Sequence, residues 1–234
     1  MIRIEKTEVV GFEHAIRGMR NPKNSWDKSD SCWCCPGDAL CDCVPYCKEW
    51  QYEIGPNDLK LMMTLRNAGT DHRKFMRMIV VYCDITAPFY WWKEFDTYKV
   101  GTVADSCSTM HKIHAKEFTL EDFSCEHLGY MSIQTFNHII DDLNSWRDAY
   151  NHYDDMPESF TKEYSKKEVW ENMIQLLPTS YNQKRTVMLN YEVLANMYKS
   201  RKNHKLDEWH ELCHWVETLP YSQLITGKEG EECG

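Results

Sequence analysis

The run Met78 to Ile85, M-I-V-V-Y-C-D-I, limits most strongly what this chain can fold into. Val and Ile are stiff at χ1 and fit a pleated, buried surface, so the run reads as a buried strand. Such a strand needs neighbours and covering layers. A first strand is offered by the alternating apolar residues Ile2, Ile4 and Val9-Val10, and the covering material is helical. A short helix is expected over Glu13 to Arg20. A second runs from Asn57 to Ala68, opening after Gly55-Pro56, closing at Gly69 and carrying Leu59, Met62-Met63 and Leu65. Ile133, Phe136, Ile140, Leu143 and Trp146 mark an apolar helical stripe. Two more helices are expected, from about Thr186 to Arg201 and from about Leu206 to Leu219, the latter with Leu206, Trp209, Cys213 and Val216 on one side. Asn151 to Lys166 is acidic, contains Pro157 and reads as a loop. No regular βαβ alternation is present, so the expected class is α+β, with helices around a small mixed or antiparallel sheet. The aromatic run Phe89-Tyr90-Trp91-Trp92 reads as core or interface.

A chain of 234 residues with 42% hydrophobic and 13% aromatic residues can bury its core as one domain. That domain is expected over 1–225, with a Cys-rich insertion at about 31–50 and a mobile Gly- and Glu-rich tail over 226–234. The amino terminus alternates charged and apolar residues without the apolar core of a signal peptide, and no run approaches a membrane span. A cytoplasmic protein is the expectation, and its eleven Cys are then read as thiols or ligands rather than disulfides. The net charge of −9 argues against a duplex-gripping protein. Small anions remain open. Arg66, His72, Arg73, Lys74 and Arg77 come nearest to a basic cluster, read here as a solvated helix face.

Two patterns suggest metal. Cys32, Cys34, Cys35, Cys41, Cys43 and Cys47 fall close enough together to hold zinc or an iron-sulfur cluster. Their C-x-C-C and C-x-C spacings differ from paired C-x2-C knuckles, and a metal-free loop stays open beside the metal reading. His210-Glu211-Leu212-Cys213-His214 matches H-E-x-x-H on an expected helix, where the two His could bind zinc and the Glu activate water. A metallopeptidase is one reading and coincidence the other. G-x-G-x-x-G, G-K-[ST] and G-x-S-x-G are absent from the sequence.

Lys93 to Met110 reads K-E-F-D-T-Y-K-V-G-T-V-A-D-S-C-S-T-M. In spacing and polarity it resembles the signature of the flavin-dependent thymidylate synthases, roughly Q-W-x-R-H-R-x-x-S-x-N-x-x-S-x-R-Y. Glu94-Phe95 stand at Q-W, Thr97-Tyr98-Lys99 at R-H-R, Thr102 at the first Ser, Ala104 at Asn, Cys107 at the second Ser and Thr109-Met110 at R-Y. Other pieces follow in the family's order: Gly69 to Arg77, Pro88, Leu177-Pro178, Asn190-Tyr191-Glu192 at N-x-R, and Lys205 to His210 at A-Q-x-E-I-R.

The resemblance implies that family's fold and its reaction. A pyrimidine nucleotide, dUMP, is methylated with methylenetetrahydrofolate as carbon donor and reduced FAD as hydride source, NADPH regenerating the flavin. It also implies a homotetramer. Carried over by position, Glu94, Thr97, Tyr98, Lys99, Thr102 and Asp105 would line the flavin. Cys107, Ser108, Thr109, Asn190, Arg201 and His210 would line the nucleotide. No side-chain nucleophile is implied, because cofactor and substrates carry the reactive groups. Arginines of the family pattern are missing at Thr97, Thr109 and Glu192, with Lys99, Arg185, Arg201 and Arg73 the cations available to compensate. The alternative is a protein of the same fold without the chemistry, serving as a nucleotide-binding or interaction protein.

Overall fold

The structure, a computed structural model, describes residues 2–34 and 51–228. In chain order the elements begin with β1 (Arg3–Val10), α1 (Phe12–Arg20), β2 (Cys32–Cys34), β3 (Gln51–Glu53), α2 (Pro56–Asn67) and β4 (Val80–Pro88). Next come α3 (Phe89–Phe95), β5 (Val103–Ser106), α4 (Thr109–Lys112), α5 (Tyr130–Asn151) and α6 (Glu158–Glu163). The order closes with α7 (Lys166–Leu176), β6 (Asn182–Asn190), α8 (Tyr191–Arg201), α9 (Asp207–Glu217) and α10 (Gln223–Thr226). One sheet has the strand order β1-β4-β6-β5, and β2 pairs antiparallel with β3, Cys34 opposite Gln51. This is the α+β class expected from the sequence.

Packing divides the chain into two compact units. The first comprises Met1–Glu5, Asp84–Thr97 and Ala104–Thr186; the second comprises Lys6–Cys83, Tyr98–Val103 and Val187–Gly234. In the first unit, Ile113, Phe118, Phe123, Phe136, Ile140, Leu143 and Met173 form one apolar cluster, drawn largely from the facing stripes of α5 and α7. A second knot is aromatic: Trp91, Trp92 and Phe95 of α3 are all buried, with ring centroids 4.9 to 5.1 Å apart. The Trp92 indole N–H donates to the Gln183 carbonyl at 3.0 Å, so this buried donor is satisfied.

In the second unit Ile16, Met62, Met76, Leu194, Met197, Trp209 and Leu224 are buried. One ion pair shares that interior. Arg20 Nε donates to Asp58 Oδ1 at 2.6 Å, while Ser29 and Ser31 hydroxyls donate to Oδ2 at 2.6 and 2.7 Å. Arg20 also donates to the Ser25 and Lys28 carbonyls, at 3.1 and 2.9 Å. The pair thereby fixes the chain leading into β2.

The structure departs from the sequence expectations in three places. Residues 186–201 are not one helix: β6 extends through Asn190 and α8 starts at Tyr191. The switch is local, because Asn190 accepts a hydrogen bond from the Val193 N–H as an N-cap, while Val187 and Leu189 alternate with less buried residues as a strand requires. The acidic 151–166 segment is not all loop, since Pro157 caps the short helix α6. The buried run also begins later than expected. Met78 ends a 3-10 helix (Arg73–Met78), and within β4 Val81, Cys83, Ile85 and Ala87 are buried while Tyr82 is exposed.

Of the expected insertion and tail, residues 35–50 and 229–234 lie outside the described residues. Lys228 is described, and its ammonium donates to Glu217 Oε1 at 2.6 Å.

Candidate functional site

The 93–110 segment begins in α3, passes through a turn, forms β5 and ends in α4. The turn needs Gly101: its φ is +86°, and a Cβ there would lie 2.8 Å from the Asn190 side-chain nitrogen. That nitrogen donates to the Gly101 carbonyl at 3.3 Å.

In the second unit this turn meets α8 and α9. The Arg201 Nε–H donates to the Tyr98 hydroxyl at 3.0 Å, and the guanidinium lies 4.6 Å from the Trp209 ring centroid. Tyr98 meets Trp209 edge-on, with centroids 6.1 Å apart. Thr102 donates to the Tyr98 carbonyl at 3.0 Å. Four of the carried-over residues, Tyr98, Thr102, Asn190 and Arg201, therefore share one neighbourhood on the turn and its supporting helix. Lys99 is exposed, and no ion pair reaches it among the described residues. His210 belongs to α9 but turns toward its own first turn, Nδ1 lying 3.7 Å from Asp207 Oδ1.

The remaining carried-over residues lie in the first unit. Glu94 is partly buried on α3, and Thr97 donates to its carbonyl at 2.7 Å. Asp105 is exposed on β5. Cys107 is exposed; its N–H donates to the Lys184 carbonyl and its own carbonyl accepts from the Gln183 side chain, both at 2.9 Å. Ser108 caps α4, accepting from the His111 N–H at 3.1 Å. Thr109 lines a cavity of about 310 Å³ together with Phe89, Trp92, Lys93, Asp96 and Arg185.

Arg185 is the residue whose part in this cavity the sequence reading missed. The expected helix begins only at about Thr186 and leaves 183 and 185 without an element; on strand β6 they share a face. Arg185 Nε donates to Gln183 Oε1 and Nη1 to Asp96 Oδ1, each at 3.0 Å. Its guanidinium carbon stands 4.1 Å from the Trp92 ring centroid.

The basic run is a solvated face only in part: His72, Lys74 and Arg77 are exposed, while Arg66 and Arg73 are half-buried. Arg73 and Arg77 both donate to the Glu192 carboxylate, which is buried, and Arg73 also reaches Asn196 Oδ1 at 3.1 Å. The acid at the N-x-R position thus holds two arginines, Arg73 half-buried and Arg77 with 56% of its side chain exposed. The Glu192 hydrogen bond raises the Arg77 pKa further.

Metal binding gains nothing from the structure. Among the described residues no group of three or more His, Cys, Asp or Glu could hold an ion. His214 is exposed and His210 partly so, while the neighbouring Trp209, Leu212, Cys213 and Val216 pack inward. The motif match is therefore explained by an amphipathic helix, and no third ligand accompanies it among the described residues. Burial, with the neighbouring Glu53, pushes the Cys34 thiol up to about 11. Cys35, Cys41, Cys43 and Cys47 lie outside the described residues. No helix is long and apolar enough to cross a membrane among the described residues.

No protein-family profile matches the chain, and no curated protein matches it. Solved structures do. The chain is similar to the flavin-dependent thymidylate synthase ThyX from Helicobacter pylori complexed with FAD and dUMP, with a TM-score of 0.64 and 13% identity over 96% of this chain and 98% of that one. A second structure of Helicobacter pylori ThyX with FAD and dUMP gives a TM-score of 0.63, again at 13% identity, over 97% and 98% of the two chains. At that identity the likeness shows a shared fold.

Proposed function

We propose that this chain is a divergent flavin-dependent thymidylate synthase-like protein, which binds FAD and a pyrimidine nucleotide and methylates the nucleotide reductively. The observation that carries the reading is the likeness to ThyX over nearly the whole of both chains. The gathering of Tyr98, Thr102, Asn190 and Arg201 around the Gly101 turn supports it. When bound, FAD would supply the hydride and methylenetetrahydrofolate the carbon.

The described residues fit a flavin in part. Tyr98, Thr102 and Asn190 offer ring, hydroxyl and amide groups, and Lys99 offers an exposed cation. Arg73 and Arg77 do not fit the task of holding the diphosphate, because Glu192 engages both. Each charge-assisted hydrogen bond withheld from a phosphate forgoes about 1.5–3 kcal/mol.

That engagement favours a second reading, a nucleotide-binding protein of the same fold without turnover. One assay separates the two. Full-length protein is incubated with FAD, NADPH, methylenetetrahydrofolate and dUMP, and the nucleotides are resolved by chromatography. Formation of dTMP that depends on FAD supports the first reading. Binding of FAD or dUMP without dTMP supports the second, and binding of neither overturns both.

A further inference from the structure

We infer that the cavity between the β2–β3 hairpin and the start of α1, in the second unit, is a site for an organic ammonium ion, held by the rings of Trp33, Tyr52 and Tyr221 and by the carboxylates of Glu13 and Glu53. Three observations carry this. The first is a wall of rings. Phe12, Trp33, Tyr52 and Tyr221 all line this cavity, which at about 690 Å³ is the size of a small-ligand pocket. They form two edge-on pairs: Trp33 with Tyr52, centroids 5.4 Å apart and planes at 68°, and Phe12 with Tyr221, at 5.3 Å and 71°. Pairs set so steeply present ring faces in more than one direction. The face of an aromatic ring carries the negative part of its quadrupole and attracts a cation.

The second observation is the sign of the charge. Glu13 and Glu53 line the same cavity, and no Lys or Arg does. The Trp33 indole N–H donates to Glu13 Oε2 at 3.2 Å, which sets one carboxylate beside one ring. Glu53 meets the Cys34 thiol, which brings no positive charge. Among the described residues neither acid is paired with a Lys or Arg. An ammonium ion would supply the missing charge and, where it carries N–H groups, donate to these carboxylates.

The third observation is a strained residue on the cavity wall. Tyr221 is not glycine, yet its φ is +52°, a left-handed conformation that side chains rarely adopt. Its hydroxyl accepts from the Ile54 N–H at 2.9 Å, so the ring is tied to the end of β3. Backbone strain of this kind gathers where a ligand is held. None of the residues carried over from the sequence resemblance lines this cavity. The inference therefore goes beyond the flavin reading and does not depend on it.

Its test contains no flavin, so failure to bind FAD leaves it standing. The full chain is titrated calorimetrically with benzyltrimethylammonium, benzylamine, benzyl alcohol and benzoate. At least one of the two cations is expected to saturate one site per chain about tenfold more tightly than benzyl alcohol, as a desolvated cation over aromatic faces predicts. Benzoate is expected to bind most weakly. The tighter cation tells a methylated ammonium from one that donates hydrogen bonds.

Glu13→Gln keeps an acceptor for the Trp33 indole and removes only the charge, and it is expected to weaken cation binding several-fold while leaving benzyl alcohol unchanged. Trp33→Leu is expected to weaken it about tenfold, and Trp33→Phe to restore part of the loss, because a ring face returns. Benzyl alcohol or benzoate binding as tightly as the cations overturns the inference, as does the absence of saturable binding. Should Trp33→Leu fail to fold, Glu13→Gln still decides: unchanged cation binding overturns the inference.

Discussion

At Asp58 a carboxylate with no exposed surface stays charged inside the protein. Burial alone would raise its pKa, yet hydrogen bonds from Ser29, Ser31 and Arg20 outweigh that and hold it below the usual carboxylate range. Because the folded value is the lower one, the stabilisation is complete above about pH 4, where an unfolded Asp ionises, and is lost as pH falls through the folded value. Removing one partner of a buried pair leaves the other uncompensated, so Asp58→Asn is expected to lower unfolding free energy by about 3–5 kcal/mol at neutral pH. Urea titrations across pH 3 to 7 (an approximate working range) should show the variant lacking part of the wild-type acid limb. Glu192 gives a parallel case with a functional edge. Glu192→Gln removes the charge that holds Arg73 and Arg77. It is expected to cost about 1.5–3 kcal/mol in stability while strengthening binding of FAD, read by flavin fluorescence. Weaker binding would make the ion pair part of the binding surface.

At the scale of elements, the join between β6 and α8 is set by one side chain. Asn190 caps the helix and also donates to Gly101. Asn190→Ala is expected to destabilise by about 0.5–2 kcal/mol through loss of the cap, measured as a shifted denaturant midpoint with unchanged slope. Trp92→Ala is expected to cost about 3–5 kcal/mol, the range for deleting a buried aromatic. It also removes the surface on which Arg185 is stacked. Most of this scaffold was legible in the sequence. The place of β1, the caps of α2 and the apolar stripes of α5 and α9 are local signals that the packing leaves intact, although burial along β1 itself does not alternate. The join was not legible, because Thr186 to Asn190 has apolar residues compatible with either period and only pairing with β4 decides. Arg185 was hidden for a related reason: no element is expected over 183–185, and only on β6 do 183 and 185 share a strand face. The engagement of Glu192 with Arg73 was equally invisible, since the two are more than a hundred residues apart.

For the whole molecule, the likeness to ThyX extends over 96% of the chain although the arginines of the family signature are largely gone. A fold survives such changes because the core is specified by volume and patterning, whereas phosphate recognition depends on individual charges. The sequence resemblance implies a homotetramer, and light scattering on the purified chain tests it, four copies being the expected outcome. The most direct test of the central claim is the equilibrium binding of FAD, followed by flavin fluorescence as the full chain is titrated in. The account predicts saturable binding of one FAD per chain, weakened by Lys99→Ala. Flavin fluorescence that never responds to the protein, with the chain folded and at its native assembly state, would contradict it.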